Sequence, residues 1–295
     1  MPPARHSRLW KRPVAQGDVA ELAILIVSYN ARAELERCLQ SLRKHPPKVS
    51  HQIAIIDNAS SDGSGELVRS GWTDVRLVEN TTNVGFARAS NIGFRETRSE
   101  LVLLLNSDTL VPEGAIDRLV ADLRARPDAA VMGPRLKDEH GRSELSFGRM
   151  LSPWAEVKQK CLSGLARRGF PPAVRWIESA TSRPQSVDWV SGACLLVRRA
   201  DAEAAGLLDE RYFMYCEDVD FCAAIRALGR MVCFTPASEV IHLRGRSVQA
   251  SPAATERAYR LSQLAFYKKH HPAWVPWLRT YLRLRGKLPA EAADT

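Results

Sequence analysis

Short apolar runs alternate with stretches of helical spacing in the first half of the chain. The runs are residues 23–27, 53–56 and 101–105. Each is followed by a polar cluster and then by apolar positions three and four residues apart, which predicts an α/β protein with a parallel sheet and helices on both faces. Because parallel strands end at a common edge, the polar clusters should meet there. The clusters are residues 28–30, 57–64 and 106–109.

The pattern divides the chain into three parts. Residues 1–20 are predicted to form a flexible basic arm, residues 21–250 the α/β domain, and residues 251–295 a basic, aromatic helical extension. Within the domain the periodicity weakens over residues 137–187, where prolines interrupt it. We interpret that stretch as a variable insertion that contacts a substrate.

Positive charge is concentrated at the two ends of the chain. There are 42 Lys and Arg residues against 33 Asp and Glu residues, which gives a formal net charge of +9. Trp274, Trp277 and Tyr281 interleave with the basic residues of the tail, and this favours an anionic membrane surface over nucleic acid as a partner. A solvated basic tail is the alternative.

Cysteine usage and hydropathy bear on the compartment. The six cysteines form no Cys-x-x-Cys pair and most lie in apolar stretches, so reduced core thiols in a cytoplasmic protein are expected. No apolar run approaches the roughly 20 residues of a spanning helix. The predicted location is the cytoplasm, with peripheral association at the inner face of the cell membrane. The sequence leaves the oligomeric state open.

The first strand is not followed by either of two common nucleotide-binding loops. Residues 28–32 contain no glycine, whereas a dinucleotide-binding fold needs a glycine-rich turn at this point. The Gly-x-x-x-x-Gly-Lys-Ser/Thr phosphate loop is also absent from the sequence. A nucleotide would therefore have to be held by other means.

The order of the motifs resembles that of the inverting family 2 glycosyltransferases, and most of all their bacterial rhamnosyltransferase branch. The resemblance covers about residues 22–270. It implies a GT-A fold, with a mixed sheet flanked by helices, a nucleotide-diphosphate sugar donor and a divalent metal ion. The motifs are Val27-Ser28-Tyr29-Asn30, residues 57–64, residues 83–91, Asn106-Ser107-Asp108, Gly192-Ala193, Glu217-Asp218-Val219-Asp220 and His242.

The resemblance implies a nucleotide site at the strand ends. Asp57 would accept the imide N–H of uracil or thymine, and Tyr29 would stack on the base. Capping of a turn is the alternative role for Asp57, and core packing is the alternative for Tyr29 and Val27. The implied nucleotide-binding residues are Val27, Tyr29, Asp57, Asn83, Gly85, Phe86 and Asn106.

Asp108 matches the last acid of the family's Asp-x-Asp metal motif, and His242 matches a histidine that completes the metal site in some relatives. A hard Mn²⁺ or Mg²⁺ ion on these groups would neutralise charge on the leaving diphosphate. The first position of the motif is Asn106, a neutral side chain, which makes strict metal dependence an open question. A helix cap is the alternative role for Asp108.

The acidic cluster at residues 217–220 precedes a helix predicted over residues 221–228. Asp218 matches the family's general base, which would deprotonate an acceptor hydroxyl as it attacks the anomeric carbon in a single inverting step. Glu217 and Asp220 would orient Asp218 or bind the sugar or acceptor. The residues expected around the donor and acceptor are Trp189, Gly192, Glu217, Asp220 and Arg246.

The resulting hypothesis is transfer of L-rhamnose from dTDP-rhamnose to a hydroxyl of a growing, lipid-linked cell-surface glycan. One alternative keeps the fold and uses UDP-galactose, UDP-galactofuranose, UDP-glucose or UDP-N-acetylglucosamine. Another is a catalytically silent nucleotide-sugar-binding scaffold, favoured only by Asn106 in the metal motif.

Overall fold

The computed structural model describes residues 19–243 and 252–292. Most of the predicted basic arm, residues 1–18, and the candidate Arg246 lie outside the described residues. The strands are β1 (Leu22–Ser28), β2 (His51–Asp57), β3 (Arg76–Glu79), β4 (Leu101–Asn106), β5 (Thr109–Leu110), β6 (Ala129–Lys137), β7 (Phe147–Gly148), β8 (Gln185–Val187), β9 (Trp189–Val190), β10 (Cys194–Arg198) and β11 (Met231–His242).

Ten α-helices lie in the described ranges. They are α1 (Arg32–Lys44), α2 (Ser64–Gly71), α3 (Phe86–Glu96), α4 (Ala115–Arg124), α5 (Pro153–Arg167), α6 (Pro171–Ala180), α7 (Arg199–Ala204), α8 (Glu217–Ala227), α9 (Pro252–His270) and α10 (Val275–Leu284). Two single-turn 3₁₀ helices, Pro272–Trp274 and Ala290–Ala292, flank α10. No helix within the described residues is both long and apolar enough to cross a membrane.

One large mixed sheet organises the described part of the chain. Its strand order is β3-β2-β1-β4-β10-β6-β11-β5, with β8 paired to β11, while β7 and β9 form a separate pair. Strands β3, β2, β1 and β4 are parallel, but β10 runs antiparallel between β4 and β6. The parallel arrangement predicted from periodicity is therefore confirmed for β1 to β4, and the mixed sheet implied by the family resemblance is confirmed for the whole.

The apolar runs are continuous because both faces of the sheet are covered. Alternate residues of β1 enter different layers: Ile24 and Ile26 pack with α1 and α4, while Leu25 packs with α3, α8 and α9. Side chains of a strand alternate between faces, so a strand buried on both sides needs apolar residues at every position. The two layers fix the sheet edge that carries the polar clusters.

The predicted insertion is largely helical, contrary to its weak periodicity. Pro153 and Pro171 occupy the first positions of α5 and α6. A backbone N–H at this position has no acceptor within the helix, so proline loses no hydrogen bond there. These prolines therefore begin helices instead of interrupting them. The hydroxyl of Ser152 accepts a hydrogen bond from the backbone N–H of Ala155 and caps α5.

The C-terminal extension packs onto the domain through α9. Phe266 and Tyr267 of α9 are buried in the same apolar layer as α8, and α10 packs back on α9 through Leu282 and Leu264. The helical extension expected from the sequence is present. Five of the six cysteines are buried and Cys161 is exposed, and no disulfide joins them.

Candidate active site

The sheet register brings the ends of three parallel strands together. Val27 of β1 is paired with Asn106 of β4, and Ser28 of β1 is paired with Asp57 of β2. The antiparallel β10 begins at this same edge, where the carbonyl of Ala193 accepts a hydrogen bond from the backbone N–H of Asn106. The edge therefore collects polar groups from four neighbouring strands.

Asp57 is almost completely buried at this edge. Its Oδ2 accepts a hydrogen bond from the backbone N–H of Ser60 at 3.1 Å, so one oxygen does cap the following turn. Within the described part of the chain, no donor reaches the buried Oδ1. A buried acceptor without a partner is unfavourable, and a ligand that donates a hydrogen bond would satisfy this oxygen.

Tyr29 and Val27 differ in exposure. The side chain of Tyr29 projects into solvent with 45% of its surface exposed, whereas Val27 is half-buried against the apolar layer beneath α3. An exposed aromatic ring offers a face for stacking, and this exposure does not fit core packing of Tyr29. Val27 can offer only its backbone to a ligand at this edge.

Asn58 holds the loop over residues 80–85, a role that the sequence motif did not predict. Its Oδ1 accepts hydrogen bonds from the side-chain amide of Asn80 and the backbone N–H of Val84. Its Nδ2 donates to Asn83 Oδ1 at 3.0 Å and to the carbonyl of Gly85 at 3.2 Å. Asn83 thus supports the loop from within. The available signal was the position of Asn58 directly after the strand-ending Asp57.

Gly85 docks this loop onto the segment that leads to the acidic cluster. Its φ of +83° favours glycine, and a Cβ atom there would lie 2.4 Å from the carbonyl oxygen of Phe213. That carbonyl accepts a hydrogen bond of 2.6 Å from the backbone N–H of Phe86. The loop with Asn83, Gly85 and Phe86 is thereby fixed beside the start of α8.

Asp108 and His242 are brought together by the pairing of β5 with β11. His242 is paired with Thr109, and the backbone N–H of Leu243 donates to the carbonyl of Asp108 at 2.8 Å. Asp108 Oδ1 lies 3.3 Å from His242 Nε2, and both side chains are mostly buried. Glu144 Oε2 lies 3.6 Å from His242 Nδ1. Glu144 comes from the predicted insertion and was not anticipated.

Asp218 lies in the first turn of α8, which begins four residues earlier than predicted. Its Oδ2 accepts the backbone N–H of Gly192 at 2.9 Å, and its Oδ1 accepts the N–H of Val219 at 2.8 Å. A Cβ atom at position 192 would lie 3.3 Å from the Cβ of Asp218, so a glycine allows this close approach. These hydrogen bonds and the helix N-terminus orient the carboxylate and favour its charged form.

Two neighbouring carboxyl groups have different surroundings. Burial, and then the charge of Asp218, raises the pKa of Glu217 well above its usual range. Burial also raises the pKa of Asp218, but the N–H groups of Gly192 and Val219 oppose that shift. Within the described residues, Glu217 Oε2 has no hydrogen-bond partner. Burial therefore raises the pKa of both carboxyl groups, and backbone N–H donors oppose the shift at Asp218.

Asp220 does not take the substrate-facing role expected of it. Its carboxylate is buried and binds Lys269 Nζ at 2.8 Å, His270 Nε2 at 2.6 Å and the hydroxyl of Tyr212 at 3.2 Å. Residues two apart on a helix face different ways, so Asp220 points away from Asp218. It anchors α9 to α8 instead.

Trp189 belongs to the wall of a cavity that reaches Asp218. The indole N–H donates to the carbonyl of Arg149 at 2.9 Å, and the side chain is mostly buried. The cavity has a volume of about 390 Å³ and lies between the insertion and α9. Trp189 thus has both a packing role and a surface on the cavity.

The ends of β1, β2 and β4, the contact between Asp108 and His242, and the oriented Asp218 are the polar features described so far. A family model described as glycosyl transferase family 2 matches residues 23–202. The chain belongs to glycosyl transferase family 2. The recognition made from the ordered motifs is confirmed, and the protein is an enzyme of this family.

A curated family 2 relative covers nearly the whole chain. The chain is 30% identical over 284 residues to the N-acetylglucosaminyl-diphospho-decaprenol L-rhamnosyltransferase of Mycobacterium tuberculosis. The match covers 90% of this chain and 92% of the relative.

Solved structures with the same fold include two glycosyltransferases with Mn²⁺. The mannosyltransferase PcManGT from Pyrobaculum calidifontis, in complex with GDP-Man and Mn²⁺, matches 98% of this chain and 80% of its own with a TM-score of 0.58 and 19% identity. GalNAc-T7 with UDP, GalNAc and Mn²⁺ matches 84% of this chain, which spans 48% of that chain, with a TM-score of 0.58 and 18% identity. The fold is therefore GT-A.

The contact between Asp108 and His242 bears on the expected metal ion. No group of three His, Cys, Asp or Glu side chains in residues 19–243 and 252–292 is arranged to hold a metal ion. Asp108 and His242 nevertheless present an oxygen and an imidazole nitrogen 3.3 Å apart, which is compatible with binding one divalent ion. Because such ions commonly take further ligands from substrate phosphates and water, the two residues fit a metal that binds together with a diphosphate.

Proposed function

We propose that this family 2 enzyme transfers L-rhamnose from dTDP-rhamnose to a hydroxyl of a lipid-linked sugar, with inversion. The observation that carries the proposal is the Asp218 carboxylate, held by two backbone N–H groups beside the strand ends. The rhamnosyltransferase named in Mycobacterium tuberculosis, similar over 90% of the chain, supports the choice of sugar and of a diphosphate-linked acceptor.

Asp218 is the general base in the proposed reaction. It accepts the proton of the acceptor hydroxyl while that oxygen forms a bond to the anomeric carbon. The bond from the anomeric carbon to the diphosphate breaks in the same step, and its electron pair leaves with the diphosphate. Attack from the opposite face inverts the configuration, so the enzyme needs no nucleophile of its own. Burial and the charge of Asp218 raise the pKa of the neighbouring Glu217, which favours its neutral form beside the base.

The donor would lie along the sheet edge. Asp57 Oδ1 would accept the imide N–H of thymine, and Tyr29 would stack on the base, while Val27 and Asn106 border the nucleoside. Asp108 and His242 would hold a Mn²⁺ or Mg²⁺ ion, which neutralises charge on the diphosphate. Uracil carries the same imide group as thymine, so recognition by Asp57 is compatible with either base.

A panel of nucleotide sugars tests the proposed donor. We expect the purified protein to bind and slowly hydrolyse dTDP-rhamnose in preference to UDP-galactose, UDP-galactofuranose, UDP-glucose and UDP-N-acetylglucosamine, with Mn²⁺ present. Calorimetry measures binding and release of the nucleoside diphosphate measures hydrolysis. Selection of a UDP sugar would overturn the rhamnose assignment and keep the mechanism. Binding without turnover on a broad acceptor panel would favour the silent scaffold.

We also propose that α10 contacts an anionic membrane. Trp277, Tyr281 and Leu284 are exposed at positions that share one face of α10, and Leu284 has 83% of its surface in solvent. Arg279 and Arg283 lie on the same helix. An exposed apolar face with adjacent cations is typical of helices that lie in a membrane interface.

Sedimentation with anionic vesicles tests the role of α10. We expect the double variant Trp277→Glu, Leu284→Glu to lose most of its binding to vesicles that contain phosphatidylglycerol, because two charges would enter the apolar face. The exposed Val19, outside α10, provides the control Val19→Glu. Equal sedimentation of the double variant and the wild type would reject α10 as the anchor.

A further inference from the structure

A cavity of about 390 Å³ lies between two parts of the chain that surround the GT-A sheet. Helices α5 and α6 of the insertion form one wall, and Tyr259 of α9 with residues 215–219 forms the other. Asp218 is at the boundary between this cavity and the donor edge. A hydroxyl inside the cavity can therefore reach the proposed base from the side away from the donor nucleotide.

A buried carboxylate joins the two walls. Glu156 of α5 accepts hydrogen bonds from Gln263 Nε2 at 2.7 Å, from the hydroxyl of Tyr267 at 3.1 Å and from the hydroxyl of Tyr259. The three donors lie four residues apart on one face of α9. Burial opposes the charged form, but the adjacent Lys160 and these donors hold the pKa of Glu156 below its usual range. The cavity therefore has a fixed width.

Two pairs of charged groups on the cavity wall bind one another. Arg142 Nε binds Asp138 at 2.7 Å, and Lys160 Nζ binds Glu156 at 2.7 Å. These two pairs add no net charge, while Glu144, Arg167 and Asp218 also line the cavity. Apolar and aromatic side chains form much of the remaining wall, which suits a sugar ring with one apolar face and several hydroxyl groups.

Tyr215 is held in an unusual conformation at the cavity wall. Tyr215 and Cys216 both have positive φ angles, 73° and 68°, immediately before the helix that carries Asp218. Non-glycine residues adopt this conformation at a cost, and such strain is concentrated at functional sites. The ring of Tyr259 packs edge-on against Tyr215 with their centroids 5.5 Å apart. Helix α9 thereby fixes the ring beside the base.

We propose that the pyranose ring of the acceptor, the part without charge, binds in this cavity, with Trp189 and Tyr215 on its walls and its attacking hydroxyl at Asp218. This inference rests on the proposed glycosyl transfer and adds the place and the chemical class of the acceptor. The insertion and the C-terminal extension together form the acceptor site. The sheet edge binds the donor, so the two substrates have separate walls.

Filling the cavity tests the proposal. Ala166 of α5 lines the cavity, whereas Leu165 beside it is exposed and outside the lining. We expect Ala166→Trp to weaken binding of octyl β-N-acetylglucosaminide at least about tenfold in calorimetry, because the indole would occupy the pyranose position. Donor binding and slow donor hydrolysis should stay at the wild-type level. Leu165→Trp is the matched control and should leave both substrates unaffected.

A second variant separates a packing defect from loss of a sugar contact. Tyr215→Ala should raise the acceptor KM at least about tenfold and leave the donor KM unchanged, while Tyr215→Phe keeps the ring and should restore acceptor affinity.

Equal acceptor binding by the wild type and Ala166→Trp would overturn the proposal, as would a loss confined to the donor. Glycoside binding is measured without donor, so it can succeed even if no tested nucleotide sugar is turned over. Failure of the donor assignment and failure of the cavity assignment are therefore distinguishable.

Discussion

Replacement of Asp218 by asparagine is expected to lower kcat for sugar transfer about a thousandfold and to leave donor affinity close to that of the wild type. An asparagine side chain has nearly the same shape and can still accept one of the two backbone N–H groups that orient Asp218. It cannot take a proton from the acceptor, and a positioned general base contributes roughly 10²–10⁴ in rate. Turnover with saturating acceptor measures kcat, and calorimetry measures donor binding.

Two results would contradict the assignment of Asp218. Turnover of Asp218→Asn near the wild-type rate would remove it as the base, and a parallel loss of donor affinity would make it a donor ligand. The control is Asp74→Asn, the same change at a partly exposed carboxylate that pairs with Arg43 on α1. Near-normal turnover of the control would show that loss of a carboxylate charge elsewhere on the protein does not cause the loss of turnover in Asp218→Asn.

The positions of the strand ends could be predicted because they depend on local sequence. An apolar run that stops at a polar cluster, as at Asp57 and Asn106, records where a strand leaves the core. The resemblance to family 2 added the mixed sheet, which periodicity does not encode. A reversed strand such as β10 has the same apolar character as its parallel neighbours, so its direction depends on the connections and not on its composition.

The residues that were missed depend on contacts far apart in sequence. Glu144 approaches His242 only after the insertion folds back along β6, and Tyr215 meets Tyr259 only when α9 docks. No local pattern marks either residue as functional. The position of Asn58 directly after Asp57 was a clue to its role. Its four hydrogen bonds to the loop over residues 80–85, however, form only in the tertiary fold.

The acidic cluster illustrates how helix geometry changes a reading of the sequence. The run of three acids predicted that Glu217 and Asp220 orient Asp218 or bind the sugar or acceptor. Because the helix begins at Glu217, the next residues point in different directions, and only Asp218 faces both Gly192 and the cavity. Asp220 instead receives Lys269 and His270 from α9. The same short motif therefore carries the proposed base and the residue that anchors α9 to α8.

Replacement of Asp108 or His242 is expected to impair the use of a divalent ion. We expect chelation to abolish transfer by the wild type and Mn²⁺ or Mg²⁺ to restore it. In Asp108→Asn and His242→Ala, the Mn²⁺ concentration for half-maximal activity should rise at least about tenfold, and kcat/KM should fall about a hundredfold or more, because each change removes one of two protein ligands. Activity titrations against Mn²⁺ measure both quantities.

The exposed His140 provides a matched control for the histidine, because His140→Ala removes an imidazole that lies outside the Asp108 and His242 pair. Full activity of the wild type in chelator would overturn the metal assignment. The Asp108 carboxylate would then act without a bound cation. Its negative charge would lie next to the leaving diphosphate and repel it. His242, whose Nε2 lies 3.3 Å from Asp108, would then act on the carboxylate directly and not through a metal ion. If His242→Ala loses activity and added Mn²⁺ does not restore it, this direct role of His242 would be supported.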